Sequence, residues 1–266
     1  VIMEENKGYG SVIGSSSAPY VNALAGQYAS ASAWYGVWHP SLPNYLGIVS
    51  GSTQGVSSDC TGCGPFAGPS LGSQLTQAGI PWTAYMESMP SPCSIAGGSG
   101  NYAKKHNPFV YFSDVLANGC AAHDVPYPGA AAMVSALDGA GAPDFVWVTP
   151  NLTDDMHNGS VAQGDAWLQA NLAPVLASPW FLDYESTVVV TMDEWSSDNT
   201  GVGTANPGGG HILTLVISHS SLGVGAYTSP GNHYGMLRTI EEAYGLPLLG
   251  GAGDPRNGDL TALFDR

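Results

Sequence analysis

At 266 residues with 44% hydrophobic side chains, the chain is long enough to bury a full core, and α/β folds of this size commonly form one domain. Six Lys and Arg stand against 21 Asp and Glu, a formal net charge of −15 with no basic run, which excludes the electrostatic footprint of a nucleic-acid binder. The same negative field repels a phosphate ester from most of the surface, so a phosphate site here needs a local cation, and a bound metal ion supplies one.

Apolar or β-branched runs at 1–3, 29–37, 80–85, 145–148, 187–192 and 212–217 read as buried strands. Helical patterns fall between them at 19–28, 43–49, 71–78, 130–137, 161–176 and 234–244. Strand and helix alternate, so the predicted fold is a three-layer α/β/α sandwich around a mostly parallel sheet. With no internal repeat and no linker, residues 1–266 form one predicted domain. The stretches 51–68 and 89–127 are rich in Gly, Pro, Ser and Cys and are expected as long surface loops.

Cys60, Cys63, Cys93 and Cys120 all fall in these loops, an even count that favours disulfides. The alternative, half of a zinc site at Cys60-x-x-Cys63, lacks a second close spacing. Bridges between distant loops restrict the unfolded chain more than a tight Cys60–Cys63 closure, so the expected pairs are Cys60 with Cys93 and Cys63 with Cys120. Disulfides belong to an oxidising compartment, and the chain opens at Val1-Ile2-Met3 as if inside a strand. Upstream residues with an export signal, and secretion, are therefore expected. No apolar run approaches the roughly 20 residues of a membrane span, so stable membrane insertion is not expected.

In open α/β sheets, ligands bind beyond the carboxyl ends of the strands. The first run leads into Glu4-Glu5-Asn6 and the fifth into Asp193-Glu194, so Glu5, Asn6, Asp193 and Glu194 can converge on a cation as oxygen ligands. Each taken singly can instead cap a helix or turn. In His39-Pro40-Ser41-Leu42-Pro43-Asn44-Tyr45, the serine lies just before a proline suited to a helix's first turn. Its hydroxyl then stands at a helix N-terminus, where backbone N–H groups favour a phosphate, and Asn44 can donate to a phosphate oxygen. An ordinary Ser N-cap is the alternative that this segment leaves open.

Met3-Glu4-Glu5-Asn6, the His39 to Tyr45 segment, Tyr102-Ala103-Lys104-Lys105-His106-Asn107-Pro108-Phe109, Asp155-Met156-His157, the stretch from Gly159 to Leu168, Asp193-Glu194 and the stretch from Asn232 to Glu241 follow one another in order. In this ordered set the chain resembles, over essentially its whole length, the bacterial acid phosphatase and phospholipase C phosphoesterase family. The resemblance implies an alkaline-phosphatase-like fold and a secreted, metal-dependent hydrolase of phosphate esters. Ser41-Leu42-Pro43-Asn44 is similar to the Thr-Phe-Pro-Asn element of nucleotide pyrophosphatase/phosphodiesterases, which implies that Ser41 is the nucleophile and a metal contact. By the same resemblance, Glu5, Asn6, Asp193 and Glu194 complete the shell of one divalent ion, whether Ca, Mg, Zn or Mn. That shell departs from alkaline phosphatase, whose two zinc ions use several histidines.

His106, His157 and His233 match histidines that lie near the phosphate in this family, where imidazole can bind phosphoryl oxygens or protonate the leaving group. His157 is expected as the acid with Asp155 orienting it, because they share a polar loop; metal ligation by both is the alternative. His39 either contacts the phosphate or buttresses the turn, and His211 stays open as a metal ligand. His123 and His219 match nothing. Trp34, Trp38, Trp82, Trp147 and Trp167 fall in strand or helix patterns and are expected in the core. One of Lys104 and Lys105 can bind phosphate, a solvated loop being the default.

The expected reaction is attack of Ser41 on phosphorus, loss of the alcohol, and hydrolysis of a phosphoserine by water. The expected partner is a small-molecule or lipid phosphate ester, with monoesters, phosphoinositide head groups included, as the expected substrates. A phospholipase C-type diesterase shares the same core and is the first alternative; a domain that only binds a phosphoryl ligand is the second. If the histidines act as cations, activity favours mildly acidic pH, near their ordinary pKa of about 6.5.

Overall fold

The computed structural model describes residues 1–183 and 185–264, and in it the apolar runs pair into one eight-stranded sheet. Its strands are β1 (Ile2–Glu4), β2 (Ala29–Ala31), β3 (Trp82–Met86), β4 (Asp124–Pro126), β5 (Phe145–Thr149), β6 (Val188–Met192), β7 (Thr214–Ile217) and β8 (Gly225–Tyr227). They lie in the order β8-β2-β7-β6-β1-β5-β3-β4. β1 runs parallel to β5 and β6, and β3 runs parallel to β5 and β4. β7 is antiparallel to both β6 and β2, while β8 and β2 are parallel. Every residue of β6 is buried, as befits a parallel strand covered on both faces.

Two groups of helices provide that cover. α1 (Pro19–Gln27) and α4 (Ala130–Leu137) both meet α5 (Val161–Leu176), whereas α2 (Ser41–Ser50) meets α3 (Leu71–Ala78) and α6 (His233–Ala243). The three-layer α/β/α expectation holds. α2 is buried at every position, so its first residue is held by packing on all sides rather than by a surface stripe.

The run at 29–37 is not one strand. It divides at Ser32–Ala33, and Trp34–Tyr35 leaves the main sheet to pair with His211–Ile212 and Gly231–Asn232 in a second, three-stranded sheet. This detour brings Gly36 against the residues after β6. A β-carbon there would stand 2.8 Å from the Asp193 carbonyl oxygen, so the approach requires glycine. β4 and β8 escape periodicity because they are three-residue edge strands.

The stretch 89–127 is not a surface loop throughout. Tyr102, Phe109, Tyr111 and Phe112 are all buried in it, since so many aromatic rings bury more apolar area than a solvated loop can leave exposed. The disulfides also differ from expectation: Cys60 pairs with Cys63, and Cys93 with Cys120. Folded distance decides this. A turn in which the Cys63 N–H donates to the Cys60 carbonyl leaves their Cα atoms 5.4 Å apart. The Cys93 N–H donates to the Asp124 carbonyl beside Cys120, where the Cα separation is 5.6 Å. Both separations suit a bridge, whatever the unfolded chain would gain from another pairing.

Candidate active site

Glu4 ends β1 in register with Met192, which ends β6, so the next residues of each strand, Glu5 and Asp193, leave the sheet side by side. The Asp193 N–H donates to the Glu4 carbonyl at 3.0 Å, and the Glu5 N–H to the Asp155 carbonyl at 2.8 Å. Asn6 adopts a left-handed φ of 58°, a conformation asparagine tolerates, and its N–H donates to Asp193 Oδ1 at 2.9 Å. Ser41 is the first residue of α2. Pro40, not Ser41, occupies the N-cap. The serine hydroxyl is therefore not spent on the helix, which removes the capping alternative, and it donates to Glu5 Oε2 at 3.0 Å.

Glu5, Asp193 and Glu194 are buried, and burial pushes each carboxyl above its usual range, Glu194 to about 7. Asp193 stands beside both Ser41 and Glu5. Glu5 Oε1 and Asp193 Oδ2 are buried without a hydrogen-bond partner. Buried carboxylates with idle oxygens beside a serine oxygen form the donor set of a hard divalent cation, and their uncompensated charge is what such a cation offsets. The residues therefore fit the metal that the carboxylate pattern predicts.

The expected partnership of Asp155 with the His157 ring is not formed. Asp155 Oδ2 instead meets His106 Nδ1 at 3.1 Å, and Oδ1 accepts only the backbone N–H of His157, at 2.7 Å. His106 Nε2 lies 3.1 Å from Glu5 Oε1 without a hydrogen bond between them, so the imidazole sits between two carboxylates. Its ring stacks on Tyr45, with centroids 5.3 Å apart. One nitrogen each of His106 and His157 and one oxygen of Glu5 lie within 4.8 Å of one another. Burial holds His106 down at about 3 and His233 at about 4, so neither is the cation that an acidic pH preference would need.

Three further residues have roles other than those the motif implies. Asn44 was expected on a phosphate oxygen, but its Oδ1 accepts from the Val37 and Trp38 N–H groups and its Nδ2 donates to the Trp38 and Pro40 carbonyls. All of its amide capacity goes to the turn that presents Ser41. His39 turns Nδ1 to the Glu194 carboxylate and Nε2 to the Asp198 carbonyl, so it holds Glu194. His233 donates from Nε2 to the Asp193 carbonyl at 2.6 Å and braces that backbone from the start of α6.

His211 stacks on Tyr9 and bonds the Ser32 carbonyl, and His123 and His219 bond the Trp82 and Phe181 carbonyls, so each of the three commits a ring nitrogen to the backbone. Trp38 departs from the core expectation, being 43% exposed beside His39. Lys104 is a structural residue, donating to the Thr61 carbonyl at 2.8 Å. Lys105 joins the site: its Nζ meets Asp59 Oδ2 at 2.7 Å and His157 Nε2 at 3.1 Å. Asp59, which sequence reasoning missed, also accepts the Leu42 N–H at 3.1 Å. Its place directly before Cys60 was the one available signal. A cavity of about 720 Å³ lies elsewhere, at the amino ends of the strands, lined by Val1, Phe145, Val188 and other apolar residues.

The model of the Phosphoesterase family matches residues 11–247. The chain is similar to the phosphatidylinositol-3-phosphatase of Mycobacterium tuberculosis (strain H37Rv), with 34% identity over 94% of this chain and 77% of that protein. It is 27% identical to an acid phosphatase of Aspergillus fumigatus over 85% of its own length, and spans about half (51%) of that relative. Among solved structures, a protein of the alkaline phosphatase superfamily from Vibrio parahaemolyticus aligns with a TM-score of 0.59 at 13% identity, over 92% of this chain and 65% of that one.

Proposed function

This chain belongs to the Phosphoesterase family of phosphoric ester hydrolases, and from that premise we propose a secreted, metal-dependent phosphomonoesterase that works through a phosphoserine at Ser41. The contact of Ser41 Oγ with Glu5 Oε2 at 3.0 Å carries the reading. It places an uncapped hydroxyl at a buried helix start, against a carboxylate able to hold its proton.

Glu5, Asn6, Asp193 and Glu194 would hold one divalent cation, which when bound supplies positive charge for the phosphoryl oxygens. Ser41 Oγ attacks phosphorus as its proton passes to Glu5 Oε2; the Oγ–P bond forms and the bond from phosphorus to the alcohol oxygen breaks. We assign protonation of the departing alcohol to His157, the part-exposed imidazole of the site. Water then attacks the phosphorus of the phosphoserine and gives a proton back to His157, the P–Oγ bond breaks, and Ser41 regains its proton from Glu5 as phosphate leaves. Asn44, His39 and His233 keep the turn, Glu194 and Asp193 in place throughout.

The name of the mycobacterial relative makes phosphoinositide head groups natural substrates to assay. Secretion is consistent with the two disulfides, and among the described residues no helix is long and apolar enough to cross a membrane. The test is hydrolysis of an aryl monophosphate by the wild type and by Ser41→Ala, each with added divalent ion and with chelator. Ser41→Ala should lower kcat by at least about a hundredfold, as loss of a nucleophile does. Turnover that survives that substitution, or a metal-free preparation of full activity, sinks the proposal.

A further inference from the structure

The chain has six basic residues, and Arg266 lies outside those the structure describes. Lys7 and Lys104 donate to the Met156 and Thr61 carbonyls, and Arg238 and Arg256 pair with Glu242 and Asp254. Lys105 is different, because its ammonium rests on a site side chain, His157 Nε2, at 3.1 Å. An ammonium has no lone pair, so in the substrate-free site His157 Nε2 is the acceptor and the ring's hydrogen sits on Nδ1, facing Asn158 Oδ1 at 2.9 Å; once the ammonium turns to a phosphoryl oxygen, Nε2 is free to carry the proton that His157 gives to the departing alcohol. Beyond that ring lie His106 and Glu5, whose other oxygen holds Ser41. Lys105 is thus one imidazole away from the carboxylate that holds the nucleophile.

Its second contact fixes where it stands. Asp59 Oδ2 accepts from Lys105 at 2.7 Å while Oδ1 accepts the Leu42 N–H, one residue after Ser41. Asp59 therefore ties the ammonium to the first turn of the helix that presents Ser41. The adjoining Cys60–Cys63 bridge, with Thr61 held by Lys104, stiffens the loop that carries it. The Lys105 side chain remains 16% exposed, so an anion entering from solvent can meet it.

We infer that Lys105 binds the phosphoryl oxygen bearing the second negative charge of a monoester, and that Asp59 is the positioning residue that keeps it beside Ser41. The inference rests on the monoesterase reading and names the residue that sets it. The carboxyls gathered there, Glu5, Asp155, Asp193 and Glu194, outnumber the two positive charges of one divalent cation, so a dianion gains from a further ammonium. A diester brings one charge and needs the ammonium less.

The experiment compares wild type, Lys105→Met and Lys105→Arg on an aryl monophosphate and a bis-aryl phosphate with saturating divalent ion, and measures binding of inorganic phosphate by calorimetry. Lys105→Met should lower kcat/KM for the monoester by about 10- to 100-fold and weaken phosphate binding similarly, with the diester changed less than about threefold. Lys105→Arg, which keeps the charge, should recover most of both. Equal losses on the two esters, or unchanged phosphate affinity, overturn the inference. A wild type inactive on both esters sinks the phosphatase reading instead, and phosphate binding by the same variants still decides the role of Lys105. Should the Met variant not fold, Lys105→Gln, which retains a donor to Asp59, carries the same comparison.

Discussion

Asn44 and Ser41 are three residues apart on one helix, yet the asparagine serves the serine through the preceding turn rather than by touching it. Its four hydrogen bonds reach Val37, Trp38 and Pro40, the residues that deliver the chain to Ser41. Asn44→Ala should cost about 2–4 kcal/mol of stability, because the buried Val37 N–H and neighbouring carbonyls lose their partners. Denaturant unfolding measures this. Aspartate at the same position should not rescue it, since the two carbonyls need a donor; a fully stable Asn44→Asp variant would contradict the assignment.

The carboxylate cluster is costly to the fold until a cation offsets it. Asp193→Asn keeps an acceptor for the Asn6 N–H and removes one buried charge. In chelator the variant should therefore melt higher than wild type. With divalent ion present the order should reverse, because the wild type gains about 3 kcal/mol at a hundred times its Kd and the variant gains less. Thermal scans in chelator and in a metal titration read both signs.

The two disulfides should contribute unequally. Cys60 and Cys63 are 3 residues apart in sequence, Cys93 and Cys120 are 27 apart. Loop-closure entropy assigns about 2 kcal/mol to the first and about 3.5 kcal/mol to the second. Replacing Cys93 and Cys120 by Ala should lower Tm more than replacing Cys60 and Cys63. Non-reducing peptide mapping checks the pairing itself, through a fragment that joins Cys60 to Cys63.

Asp124 is fully buried, held by Asn107 at 2.9 Å, and burial pushes its carboxyl up to about 7. An unfolded aspartate titrates near 3.9. Below about pH 4 both states keep the proton and the native advantage is whole; as pH rises from about 4 to 7 the unfolded chain releases its proton first, so stability falls. The loss is on the order of 4 kcal/mol at most. Asp124→Asn should flatten stability over that interval, and parallel melting profiles of variant and wild type from pH 4 to 7.5 would count against it.

Read by itself, the sequence determined the α/β/α order of elements, because buried parallel strands and helix faces write their periodicity locally. It also brought Glu5 beside Asp193, since residues that follow two parallel strands share one sheet edge. Ser41 was legible as a residue near a helix start. Only the tertiary structure decided that its hydroxyl belongs to Glu5 and not to the helix, because a cap and a free serine look alike in sequence. The same holds for Asp155, which orients His106, and for His233, which burial leaves neutral: both depend on neighbours more than 35 residues distant. The disulfide pairing and the link from Asp59 to Lys105, 46 residues apart, required distances between loops that carry no periodic signal. Side-chain partners are chosen by the folded backbone, and residue types alone do not encode where that backbone returns.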